Sequence, residues 1–156
     1  MPTTNEQSGA LRFGHVTEYD PELHAARVEF ADRGIVSHWL PVLTVNTLKN
    51  HDEVHLDVGE HVACILQGNG TEQGVILGAV FDQKNKPPVH EANQRAHTFE
   101  DDTQMLYDRE NHQLKIDCVG DIEITTKGNV NITAGGNINI TASGNIKEQA
   151  SRIDLN

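Results

Sequence analysis

Residues 120–156 read GDIEITTK-GNVNITAG-GNINITAS-GNIKEQAS-RIDLN, and the spacing inside this stretch decides how the chain folds. Gly120, Gly128, Gly136 and Gly144 recur every eight residues. Behind each glycine the third and fifth places are apolar: Ile122 and Ile124, Val130 and Ile132, Ile138 and Ile140. The pattern extends backwards, with His112 in the glycine place ahead of Leu114 and Ile116. Forwards it decays. Ile146 is kept, Glu148 takes the second apolar place, and a shortened copy carries Ile153 and Leu155.

Apolar and polar residues alternating at period two describe a strand with one dry and one wet face. β-Branched Ile, Val and Thr suit a pleated surface. Gly, or Gly followed by Asn, supplies a corner. Each octad is therefore one short strand plus one bend. A fixed period of this kind belongs to stacked architectures, in which no unit buries its own face.

What the octads stack on follows from length. A single-chain solenoid with three octad sides needs about 24 residues per coil, and stability needs about three repeats. His112–Asn156 holds fewer than two such coils. Three chains, each supplying one side of a triangular prism, solve this: every octad gains neighbours on other chains, and the Ile and Val pairs turn towards a shared axis. At ~4.7–4.9 Å per layer, about six octads make a needle roughly 30 Å long. The expected core is Leu114, Ile116, Ile122, Ile124, Val130, Ile132, Ile138, Ile140, Ile153 and Leu155, with corners at Gly120, Gly128, Gly136 and Gly144. Asn129, Asn131, Asn137 and Asn139 face outward, as ladders that stabilise neighbouring layers. Calcium-binding glycine repeats use nine-residue units with fixed aspartates, which these are not.

The 156-residue chain is lean in core formers, with 4% aromatic and 37% apolar residues. Its net charge is −11, so three copies carry −33, which disfavours polyanionic partners. The needle is nearly neutral: residues 120–156 hold four acids and three bases, against six and two in residues 98–117. Cys64 and Cys118 form no disulfide framework and suit a chain made in a reducing cytosol. Signal-peptide regions and membrane-length apolar runs are lacking, so the expectation is a chain that enters no secretory route by itself.

Residues 1–10 read as a polar N-terminal extension. From residue 11 to 83 the text is β throughout. Phe13–Tyr19 meets the turn Asp20-Pro21-Glu22; Ala25–Phe30 ends at Asp32-Arg33-Gly34; His38–Leu43 is a third apolar segment. Asp57-Val58-Gly59-Glu60 turns into His61–Leu66, and Gly68-Asn69-Gly70 opens a hairpin returning through Gly74–Gly78. About five strands without helical period predict a small closed barrel of the oligonucleotide/oligosaccharide-binding (OB) type. Residues 84–97 read as a linker, and residues 98–156 as the needle segment.

The stretches LRFGHVTEYDPELHAARVEF, SHWLPVL, DVGEHVACIL and QGNGTEQGVILGAVF, followed by FEDDTQMLYDRENHQLKID and the octads, resemble the central spike (baseplate assembly protein V) family of contractile phage tails. The resemblance covers roughly residues 10–156. It implies an all-β homotrimer, with an OB-fold barrel attached to the tail hub and an intertwined β-helix that pierces the bacterial outer envelope on sheath contraction. Related spikes serve R-type pyocins, other injection particles and type VI secretion. The implied location is the baseplate tip of a virion or tailocin. Many members carry a His-x-His pair near the C-terminus that cages iron at the apex. Here the chain reads Ser151-Arg152-Ile153-Asp154-Leu155-Asn156, without such ligands. A separate tip-capping protein, seated on Arg152, Asp154 and Asn156, is expected instead, with no metal and no cofactor.

Other functions have weaker support. His51-Asp52-Glu53-Val54-His55 places two histidines four apart, but its glutamate is in the third slot and its polar setting is a loop, whereas zinc proteases need a helix. Nucleic-acid binding requires a basic groove with stacking aromatics. Residues 11–81 offer Arg12, Arg27, Arg33 and Lys49 against ten acids, with one Trp. Asp101-Asp102 reads as a solvated bend, and no nucleophile–base pair is evident, so no enzyme is expected. The alternative is a trimeric adhesin for envelope glycans, although the needle from Gly120 lacks the aromatics that stack on sugars.

Overall fold

The computed structural model describes residues 10–67, 73–89 and 91–154. Within them the chain is all-β: nine strands and no helix, in two antiparallel sheets. The Gly68-Asn69-Gly70 turn, Leu155, Asn156 and the extension up to Gly9 lie outside the described residues.

The first sheet holds β1 (Ala10–Asp20), β2 (Ala25–Phe30), β3 (Ile35–Val36), β4 (Leu40–Pro41), β5 (His61–Leu66) and β6 (Gly74–Ala79). Its order is β3-β2-β1-β5-β6, and β4 also pairs with β2. Just past β4, Val42 bridges Ile76 of β6 in parallel, and the Leu43 N–H donates to the Ile76 carbonyl at 2.9 Å. The pairings β1-β2-β4-β6-β5-β1 therefore close a ring.

Inside it lie Val16, Ala26, Val28, Phe30, Leu40, Val62, Cys64, Leu66 and Ile76, with Leu56 packed from a loop. They alternate along their strands with exposed or half-buried residues, as a one-sided sheet requires. Gly14 of β1 packs directly against β2: a Cβ there would stand 2.6 Å from Val28 Cγ1 and 2.5 Å from the Glu29 carbonyl oxygen.

The turns follow the sequence. Asp20 Oδ1 accepts the N–H groups of Glu22 and Leu23 at 2.9 and 3.2 Å, an Asx turn. Arg33 and Gly34 both donate to the Phe30 carbonyl at 3.0 Å. Asp57 N–H donates to Glu60 Oε2 at 2.9 Å, with Gly59 at φ 98°.

The third apolar segment differs from its expected form. His38–Leu43 is not one strand; only Leu40 and Pro41 pair with β2, and Ile35–Val36 pair ahead of them. Ser37 lies between. Its hydroxyl accepts the Val28 N–H at 2.9 Å, and its own N–H donates to the Val28 carbonyl at 2.9 Å. A side-chain oxygen thus replaces a ladder carbonyl, and Pro41 has no N–H to offer.

The second sheet is a meander of β7 (Gln94–Thr98), β8 (Gln104–Asp108) and β9 (Gln113–Asp117). β7 begins at Gln94, inside the stretch read as linker, and the Asn93 carbonyl ahead of it accepts the Arg109 N–H at 3.0 Å. Its residues are mostly polar and their apolar content gives no signal; pairing with β8 makes the strand. Asp101 and Asp102 form the β7–β8 turn, with Asp101 Oδ1 accepting the Thr103 N–H at 3.0 Å and Asp102 at φ 66°. His112 closes the next hairpin at φ 53°, a left-handed conformation that suits the glycine place it occupies in the repeat.

Candidate functional site

Beyond β9 the octads form neither helix nor strand, and the chain bends at 119–120, 127–128, 135–136, 143–144 and 151. The eight-residue period of the sequence is thus an eight-residue period of direction. Among the described residues no backbone–backbone hydrogen bond involves residues 119–154; Val119 N–H donates to Thr103 Oγ1 and Gly128 N–H to Thr126 Oγ1, each at 3.1 Å. The apolar places stand open, from 48% exposed at Ile153 to 77% at Ile124. Asn129, Asn131, Asn137 and Asn139 are exposed as well, so one chain alone does not separate an inner from an outer face.

The corner glycines are equally bare. No atom lies within 4 Å of a Cβ built at Gly120, Gly136 or Gly144, and Gly128 meets only Thr126 Oγ1 at 3.9 Å. Among the described residues nothing requires glycine there.

Leu114 and Ile116 belong to β9, where Leu114 faces Tyr107 and Ile116 faces Met105 across the ladder. Directly paired residues share a face of a sheet, so these four make one apolar surface, each 43–63% exposed. Sequence reasoning missed Met105 and Tyr107 because it started the repeat at His112. It also missed the seventh place of each octad, which shares the parity of the apolar places and is small throughout: Cys118, Thr126, Ala134, Ala142 and Ala150. The narrow residue precedes each bend by one or two positions.

At the far end Arg152 Nε donates to Asp154 Oδ1 at 2.8 Å, both side chains exposed. Ile153 lies between them, and Asn156 is outside the described residues.

The polar clusters sit on the barrel. His55 lies 3.9 Å from Glu53, with its ring 5.4 Å from Tyr19 and 6.1 Å from His24. Tyr19 Oη is 3.0 Å from His24 Nδ1, and burial, aided by Glu53 and Asp20, pushes its phenol pKa up. His51 and His55 are exposed on a non-helical loop. Asp52 ties that loop to the preceding segment: its carbonyl accepts the Thr44 hydroxyl and its Oδ2 accepts Asn46 Nδ2–H.

Elsewhere His15 stacks on His61 at 5.0 Å, and His61 Nδ1 points to Asp82 at 3.9 Å without a hydrogen-bond partner. The Asn85 and Lys84 N–H groups, with the two histidines, hold the Asp82 carboxyl below its usual range. Among the described residues no three His, Cys, Asp or Glu side chains are grouped to hold a metal ion. Cys64 is sealed in the barrel core, and burial raises its thiol pKa to about 11.

The barrel's charges are similarly structural: Arg12 pairs with Asp32 at 3.0 Å and Arg27 with Glu18 at 2.9 Å. What the described residues of the C-terminal segment present is backbone without backbone partners and apolar side chains at fixed intervals. The sequence matches no protein-family model, and no curated protein is similar to it.

Proposed function

We propose that the chain is the central spike of a contractile tail baseplate or a related injection particle, acting as an intertwined homotrimer. The observation that carries this reading is the bend at every eighth residue, with apolar pairs between bends that stand exposed among the described residues. Extended backbone without hydrogen-bond partners costs free energy wherever it leaves water, and an exposed strand is a template for other chains. Three copies wound about one axis would pair the backbones, bury Ile122 to Ile140 and require small residues at the corners. That would explain glycines whose own chain makes no demand on them. Met105, Tyr107, Leu114 and Ile116 would form the first layers of the same interior.

The closed ring, with a parallel contact between its third segment (β4) and its last strand (β6), supports reading the first sheet as an OB-fold barrel. Its acidic surface speaks against nucleic acid, so the barrel serves as a connector to the tail hub. The needle transmits force. Each chain is held by two others, so loosening one requires breaking contacts to both, and a nearly neutral polar exterior limits adhesion to the envelope it crosses. At the tip, Arg152 to Asn156 would seat a small separate protein covering the open prism. No catalysis, metal or cofactor enters this function. The particle is assembled from protein made in the bacterial cytoplasm and acts outside it.

Sedimentation velocity of the purified chain at micromolar concentration, combined with gold-labelled antibody on contractile particles from the producing strain, tests the proposal. A trimer, and label at the distal end of the tube, are expected. A monomer, or label on the sheath, refutes it.

A further inference from the structure

One side of the barrel breaks the rule that the outer face of a small antiparallel barrel is polar. Across β1, β5 and β6, Leu11 pairs with Ile65, Phe13 with Ala63, and Ile65 with Val75, all pointing away from the core. Leu11 is 58%, Phe13 51% and Ile65 43% exposed. The stacked His15 and His61 close one end of the patch. No Asp, Glu, Lys or Arg occupies these seven outward positions, in a segment where residues 11–81 hold ten acids and four bases.

We propose that this uncharged face turns towards the three-fold axis and packs against the same face of the other two copies, so that the three barrels form one block rather than three separate heads. The inference rests on the trimeric reading above. Two physical arguments choose a second copy as the occupant.

The first is charge. Each chain carries −11, so copies held side by side repel through most of their surface. A face whose seven outward positions hold no Asp, Glu, Lys or Arg, with the Asp82 carboxylate only at its histidine end, is the one they can share while desolvating the fewest like charges. The second is area. Five apolar side chains at this exposure offer roughly 350 Å² per copy, within the range of a large surface patch. A freely diffusing partner needs about 800 Å² per side for a stable complex. A neighbour already tethered through the needle needs far less, because its effective concentration is high.

The test measures distances between spin labels in the full-length chain carrying Cys118→Ser, with Cys64 left in the core. One variant adds Gln67→Cys, at the rim of the face, where the label need not enter the contact. The other adds Val36→Cys on β3, across the barrel. Labels at position 67 are expected less than about half as far apart as those at position 36, since a barrel's width separates the two positions. Sedimentation of the same samples separates the two readings. A trimer in which the position-67 labels are as far apart as those at position 36, or further, overturns the inward packing alone. A monomer overturns the trimer, and this inference with it.

Discussion

Replacing Ile132 by aspartate puts the proposed interior under the most direct strain. Ile132 is 73% exposed in the single chain, and closing that surface against two neighbours is worth about 2 kcal/mol per chain at ~25 cal/mol per Å². A layer of three thus loses about 6 kcal/mol of burial. Three carboxylates at one level of a dry axis add several kcal/mol each, reduced but not removed if they take up protons instead. The sum rivals the ~5–15 kcal/mol that holds an ordinary domain together. Association of Ile132→Asp should weaken by more than about a thousandfold, since each 1.4 kcal/mol is a factor of ten. Asn131→Asp, one residue away on the opposite face, adds the same charge where water solvates it and should cost under about 1 kcal/mol. Sedimentation across a dilution series and guanidinium titration read both. Equal effects, or a larger one at Asn131, would refute the assignment of inner and outer faces.

Four further outcomes are expected. Iodoacetamide at pH 8 should leave Cys64 unmodified in the folded chain, because burial lifts its thiol pKa to about 11, and should reach it only after denaturation; peptide mapping decides. The Asp108 carboxyl is held below its usual range, chiefly by the Asn111 N–H and side-chain amide, so the hairpin stability it supplies is full above about pH 4 and fades as pH falls through the lower folded value. Asp108→Asn should flatten that acid limb in thermal melts between pH 2 and 5, and an unchanged slope would count against it. Gly14→Ala should destabilise the barrel by about 1–3 kcal/mol in urea titrations, as its methyl meets Val28 and the Glu29 carbonyl, and a neutral result would mean that β1 shifts freely over β2. Deleting residues 152–156 should leave trimers intact while native particles lose the tip protein and their killing or infectivity; particles that keep both would remove that role from Arg152 and Asp154.

The parts of this structure that were legible in the sequence are those where one chain's own residues carry the signal. Alternation along Ala25–Phe30 and His61–Leu66, with Asp20, Gly34 and Gly59 at the bends, marked strands and turns where they occur. The octad spacing foretold the bends. Signals that depend on a partner strand were not visible. Gln94–Thr98 is a strand because β8 lies beside it, and the hydroxyl of Ser37 interrupts the third segment only once Val28 is opposite. The apolar face of Leu11, Phe13 and Ile65 was hidden for the same reason: Leu11 and Phe13 flank Arg12, Ile65 stands between Cys64 and Leu66 of the core, and only cross-strand register joins them into a patch.

The sameness of the octads has a consequence for assembly. Because GNVNITAG and GNINITAS differ so little, a chain displaced by eight residues against its neighbours would meet nearly the same surroundings, and local contacts would scarcely notice the error. In the proposed trimer the needle therefore cannot set its own phase. That must come from what does not repeat: the β7–β8–β9 meander at one end, with Asp108 locking its hairpin, and the Glu148 irregularity at the other. Winding would then start where the meanders meet and run towards the C-terminus like a zip fastener, each octad aligned by the one before it. A chain whose meander is damaged should still wind, but out of step, leaving three ends of unequal length.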